Sequence, residues 1–150
     1  MNAAQTAPQI EIQKIYLKDV SLEAPNSPQI FTEQGEVETQ LQVGNASTSI
    51  AEDIYESVLT LTVKVTVGGK TAYLVEVQQA GLFKVQGFPK EQLGPLLGIF
   101  CPNTLFPFAR EAIASLISKG GFPPLLLNPM NFEAIYLQHQ QSQQSGNTQH

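Results

Sequence analysis

The chain has 150 residues and a hydrophobic fraction of 42%, enough for one domain with a sizeable core. Only 14% of its residues are charged, against about 25% in typical soluble proteins, so a monomer is short of polar cover and self-association is expected. A net charge of −5 argues against nucleic acid or an anionic membrane as the main partner, and the single cysteine permits no internal disulfide.

The opening MNAAQTAPQI has neither the basic stretch nor the apolar core of a signal peptide. No apolar run approaches the roughly 18 residues needed to span a bilayer, so no membrane insertion and a cytoplasmic location are expected. Asn45-Ala46-Ser47 matches a glycosylation acceptor, but it is idle without secretion. Residues 1–8 read as a flexible polar lead-in, 9–137 as the folded domain and 138–150 as a flexible polar tail.

Within the domain, a first strand is expected over Ile10–Leu22, bent where the apolar phase shifts between Ile12 and Ile15. Ala24-Pro25-Asn26-Ser27-Pro28 ends it, and a shorter strand follows near Val37–Val43. Over Tyr55–Val67, Leu59, Leu61, Val63, Val65 and Val67 alternate with Thr60, Thr62, Lys64 and Thr66, the pattern of a strand with one wet face. Gly68-Gly69 turns the chain and Thr71–Gln79 returns. A two-residue loop would set Val63 and Val65 beside Ala72, Leu74 and Glu76. A three-residue loop, Gly68–Lys70, sets them beside Tyr73, Val75 and Val77. Only the second gathers the apolar residues on one face, so three residues are expected.

Gly87–Pro102, GFPKEQLGPLLGIFCP, mixes large apolar residues with glycines and prolines. It reads as an apolar loop, pinned under a subunit or forming the wall of a groove. Helical spacing begins near Thr104, with Pro107 in the first turn, and Gly120-Gly121 stops it. FPPLLLNP reads as an extended strap. A second helix follows Asn128-Pro129 with Phe132, Ile135 and Tyr136 on its apolar side. Strands first and helices last make the fold class α+β.

Catalysis finds little support. Cys101 as a nucleophile needs a base, and both histidines, His139 and His150, lie in the polar tail. Gly69-Lys70-Thr71 imitates the end of a phosphate loop, but Lys64 stands where the pattern needs glycine. Glu52-Asp53 and Glu36/Glu38 read as solvated face or caps. Asp19, Ser21 and Glu23 share strand parity, so both carboxylates point the same way, and Glu76 joins them across the sheet. They form either a soluble face or a docking patch for a basic partner.

Four stretches, QKIYLKDVSLEAPNSPQIF, YLVEVQQAGLF, CPNTLFPFAREAI and GGFPPLLLNPMNFEAIY, occur in that order. They resemble the SecB family of bacterial protein-export chaperones, from about Ile10 to Leu137. The resemblance implies an antiparallel sheet of about four strands, with two C-terminal helices packed on one face, assembling as a dimer of dimers, a homotetramer. It implies an ATP-independent holdase, not an enzyme, that keeps newly made secretory preproteins unfolded and delivers them to the SecA motor with no cofactor. Residue by residue, it places SecA docking on Asp19, Glu23, Leu74 and Glu76, and tetramer assembly on Val75, Val77 and Gln79. We expect the client groove on Leu96, Leu97, Phe100, Phe132 and Tyr136. The competing expectation is a small carrier enclosing an apolar ligand. Family tails often carry acidic residues, and this one has none.

Overall fold

The computed structural model describes residues 7–148. The lead-in over 1–8 therefore lies mostly outside the described residues, as do 149–150 of the tail. Four antiparallel strands, β1 (Gln9–Glu23), β2 (Val37–Ala51), β3 (Ile54–Val67) and β4 (Lys70–Gln86), form one sheet in the order β1-β4-β3-β2. The helices follow: α1 (Lys90–Pro95), a π-helical segment (Leu96–Phe100), α2 (Cys101–Lys119) and α3 (Phe132–Thr148). The fold is α+β, with the helices on one face of the sheet.

β1 bends where the apolar phase requires it. Ile12 pairs with Phe83 and Lys14 with Leu82, so Gln13 is an extra residue and Ile15 returns to the inner face. A second shift between Leu17 and Asp19 restores Val20 and Leu22 to that face and leaves Asp19, Ser21 and Glu23 outward.

The β3–β4 hairpin reaches the expected faces by a different route. Its turn has two residues, since Val67 pairs with Lys70 and Thr66 with Thr71. Gly68 and Gly69 have φ of 58° and 82°, the left-handed pair that a tight hairpin turn of this kind needs. A bulge then absorbs Ala72, after which Val65 pairs with Tyr73, Val63 with Val75 and Leu61 with Val77. The apolar pattern sets the register, and the glycines set the turn.

β2 extends to Ala51, well past Val43. GNASTSI carries no apolar alternation, but β3 offers a continuous ladder from Ile54 to Val67, and backbone pairing carries β2 along it. Glu52-Asp53 forms the tip of this hairpin, with Asp53 at φ 61° and its carboxylate accepting from Gln86.

The stretch from Gly87 to Pro102 is helical from Lys90 onward, not the loop its punctuation suggests. Its prolines fall at seams. Pro95 ends α1 where the π-helical segment begins, and Pro102 opens α2 where that segment ends. At the second seam Cys101 N–H reaches Leu96 O, five residues back, so the turn that leads into Pro102 is wider than an α-turn. α2 thus starts at Cys101, so Pro107 is interior and not in the first turn. Both Pro107 and Asn103, whose carbonyl loses its donor, lie on the exposed side.

α2 packs chiefly on β4 and β3. Leu105, Ala109, Ile113 and Ile117 meet Leu59, Leu61, Val63, Val75, Val77 and Phe83 in the core. Gly120-Gly121 does end α2: Phe122 N donates to Ile117 O and Gly121 N to Ser118 O, with Gly121 at φ 86°. The strap then runs extended from Phe122. Asn131 caps α3, accepting from Ala134 N at 3.0 Å. α3 continues as helix past Leu137 through a glutamine-rich stretch, to Thr148.

Candidate functional site

Two features of the surface stand out. The first is a pair of clefts on the inner side of β2. Val37, Thr39, Val43, Asn45 and Ser47 all face inward, opposite Val67, Val65, Leu61, Leu59 and Ser57 of β3.

The upper cleft, about 610 Å³, is lined by Phe31, Val37, Val65, Tyr73, Phe122 and Leu125 among others. Its wall is aromatic because the turn that ends α2 aims Phe122 back at the sheet. There its ring lies 4.8 Å from Tyr73 and 5.2 Å from Phe31, centroid to centroid. Phe31 reaches the site on the 24–36 connection, which is tied to the β3–β4 turn. Asn26 donates to Thr71 O, Gly68 N to Glu36 O, and Lys70 pairs with Glu33 at 2.6 Å.

The lower cleft, about 460 Å³, lies between Val43–Ser47 of β2, Gly94, Leu97 and Gly98 of the α1–π stretch, and Phe132, Ile135, Tyr136 and His139 of α3. Gly94 and Gly98 let the Tyr136 ring lie flat on the helix backbone, since a Cβ on either would collide with it.

The second feature is the outer face of the sheet. Glu23 pairs directly with Leu74, Ser21 with Glu76 and Asp19 with Gln78. Glu76 also accepts a 2.8 Å hydrogen bond from Thr62 of β3. Asp19, Glu23, Leu74 and Glu76 thus form one continuous patch of two edge carboxylates, one central carboxylate and an apolar side chain.

Beside it, Tyr16 donates to Glu56 at 2.5 Å, and Lys18 bridges the same carboxylate at 2.8 Å. The Lys18 ammonium, then the Tyr16 hydroxyl, hold Glu56 below the usual carboxylate range. Partial burial, then the Glu56 carboxylate, push Tyr16 up to about 12. Tyr16 pairs across the sheet with Ala80, which is fully buried on this outer side.

The sequence-derived residues divide unevenly. Leu97, half-buried, lines the lower cleft, whereas Leu96, half-buried, and Phe100, 38% exposed, lie outside its lining. Phe132, by contrast, is 2% exposed and packs edge-on against Phe106 at 5.9 Å, so it supports the cleft from beneath. Val75 and Val77 are fully buried under α2. Gln79 is buried beside them and donates to Tyr16 O at 3.0 Å, tying β1 to β4 just before the second bulge. Cys101 is also fully buried, and burial pushes its thiol up to about 12, far from a thiolate nucleophile.

Phe31, Tyr73 and Val37 of the upper cleft, and the Tyr16–Glu56–Lys18 trio, were not singled out from sequence. Only an apolar Ile30-Phe31 pair stranded in a polar connection hinted at the first. Among the described residues no helix is long and apolar enough to cross a membrane.

The family model described as "Preprotein translocase subunit SecB" matches residues 3–143. The chain belongs to the SecB family. It is 57% identical over 139 residues to the protein-export protein SecB of Nitrosococcus oceani, covering 91% of this chain and 85% of that protein. It is 51% identical over 136 residues to that of Methylococcus capsulatus, covering 91% and 88%. Among solved structures it is similar to a SecB-like chaperone of Mycobacterium tuberculosis in complex with an antitoxin peptide. The TM-score is 0.66 at 14% identity, over 81% of this chain and 90% of that one, a likeness of fold. Family membership makes this SecB-family chain a protein-export chaperone, with the clefts and the outer face as its candidate surfaces.

Proposed function

We propose that the chain is a cytoplasmic, ATP-independent holdase that captures unfolded secretory preproteins in the clefts along β2 and presents them to SecA. The observation that carries this reading is the placement of both clefts on one stripe of one strand. From Val37 to Ser47 the stripe spans roughly 33 Å at about 3.3 Å per residue, the reach of an extended segment of about ten residues. Each large apolar side chain taken from water into a cleft gains about 1.5–3 kcal/mol. Contact of this kind needs no sequence code, which suits a binder of many clients.

SecA docking is assigned to Asp19, Glu23, Leu74 and Glu76 on the opposite face. A client in the clefts leaves that face free, so capture and delivery do not compete for surface. Four copies would carry 4 × −5 = −20 in formal charge, which draws in a basic partner segment and makes the encounter weaken as salt rises.

Assembly as a dimer of dimers is supported by apolar surface left over in one copy. β1 pairs with β4 alone and leaves Ile12, Leu17 and Val20 exposed, and α2 exposes Phe108. Val75 and Val77 would then influence assembly from below, by setting how α2 sits.

The test is a separation of functions. Asp19→Lys with Glu76→Lys should abolish SecA binding in titration calorimetry, while the variant still slows refolding of a reduced, unfolded protein as the parent does. Retention of SecA binding overturns the docking assignment. Native mass spectrometry adds a cheap check: a ligand-free tetramer is expected, and a ligand-loaded monomer would favour an apolar-ligand carrier instead.

A further inference from the structure

A polar tie crosses the lower cleft. Asn45 Nδ2, on β2, donates to the carbonyl of Leu97 at 3.1 Å, while Asn45 Oδ1 accepts from the fully buried hydroxyl of Ser57 at 3.4 Å. The reason this carbonyl is available lies in the chain that follows it. In a regular α-helix Leu97 O would take the N–H of Cys101, but that N–H goes to Leu96 O. In the wider π turn it would take the N–H of residue 102, which is proline and has none. The same proline that marks the seam between the π-helical segment and α2 therefore withholds a donor from a carbonyl at the cleft, and β2 supplies one from a side chain.

We propose that Asn45 is the positioning residue of the lower cleft: by giving Leu97 the hydrogen bond that Pro102 denies it, it fixes the distance between β2 and the Leu96–Phe100 wall. This rests on the reading of the cleft as a seat for unfolded clients. Asn45 is at the right place to act this way because it and Leu97 both line the cleft, on opposite sides. Ser57, behind it on β3, holds the amide so that its nitrogen points across. Besides the tie, the wall is held by the apolar contacts of Leu96, Leu97 and Ile99 with the core. Without the tie, its glycines, Gly94 and Gly98, would let it ride away from β2 and spoil contact with a bound chain.

The experiment uses the full chain and a reduced, carboxymethylated protein as a permanently unfolded probe. Asn45→Asp keeps the acceptor for Ser57 but removes the donor for Leu97. It should weaken probe binding about three- to five-fold, the loss expected for one hydrogen bond, and do so by speeding dissociation. Pro102→Ala puts an N–H five residues after Leu97 and gives its carbonyl a donor within the helix. In that background Asn45→Asp should change binding less than two-fold. An equal loss in both backgrounds, or no loss in either, overturns the inference.

Amide hydrogen exchange over Leu96–Cys101 in the single Asn45→Asp chain gives a second measurement that does not depend on Pro102→Ala folding. Faster exchange is expected, and unchanged exchange overturns the inference. Leu97→Ser separates this from the reading beneath it. If Leu97→Ser leaves probe binding intact, the cleft is no client seat and both ideas fall. If Leu97→Ser weakens binding and Asn45→Asp does not, only the positioning role falls.

Discussion

Replacing Phe122 by alanine removes one wall of the upper cleft and tests whether that cleft, and not merely apolar surface in general, holds clients. The ring makes two tilted aromatic contacts, with Phe31 and Tyr73 at 5.2 Å and 4.8 Å. Such pairs contribute about 0.5–1.5 kcal/mol each beyond their buried area, so the two pairs alone make Phe122→Ala cost the fold about 1–3 kcal/mol, before the lost burial of the ring is added. For a chain of this length each kcal/mol lowers Tm by about 2–4 °C, so a fall of a few to about ten degrees is expected from the pairs alone.

The effect on clients follows separately. An apolar client side chain fully buried in the cleft gains about 1.5–3 kcal/mol, and Phe122 is one of three rings around it. Loss of roughly a third of that contact is worth about 0.5–1 kcal/mol, or a two- to five-fold weaker Kd. Calorimetric titration with a permanently unfolded protein, alongside a melting curve, reads both. A variant that melts lower but binds as tightly as the parent would refute the assignment of the upper cleft. Phe31→Ala should reproduce the binding loss, since Phe31 lines the same cleft while being itself 52% exposed.

Three further outcomes are expected. The Tyr16 hydroxyl titrates near 12, above its ordinary value near 10, so its contribution is fully present below about 10 and is lost as pH rises through about 12. Glu56 is depressed, so its contribution is present above the ordinary carboxylate range and is lost as pH falls through its lowered value. Tyr16→Phe should remove the alkaline loss and shift the ultraviolet tyrosine titration, and an unchanged profile would dismiss the trio. Cys101 should resist alkylation in the native protein at mildly alkaline pH and react fully once unfolded, followed by mass spectrometry. Val77→Asp buries an unpaired charge beneath α2, costing several kcal/mol. Sedimentation and melting should show assembly and fold weakened together, whereas dissociation at an unchanged Tm would mean that Val77 faces another subunit directly.

Alternation and parity were enough to assign faces. The run from Leu59 to Val67 could bury only one side, the apolar phase shift in β1 had to be absorbed by an extra residue, and Asp19, Glu23 and Glu76 followed onto the wet face. The four family stretches added the family itself. Short-range signals served less well where the backbone had an unusual way out. Gly87–Pro102 is too broken for a regular α-helix, and a π turn between two prolines is a solution that residue propensities do not announce. The length of β2 was invisible because its ladder is dictated by β3 and not by its own side chains.

The clefts belong wholly to the tertiary structure. Phe31, Tyr73 and Phe122 come from three separate parts of the chain and meet only because the turn after α2, the bulge at Ala72 and the ties to the β3–β4 turn each aim one ring. Asn45 and Leu97 are 52 residues apart, and what joins them is a missing N–H at Pro102. Local pattern decides which face a side chain takes, because that depends on neighbours one or two residues away. Which side chains share a cavity depends on the packing of distant segments, and no local pattern encodes that.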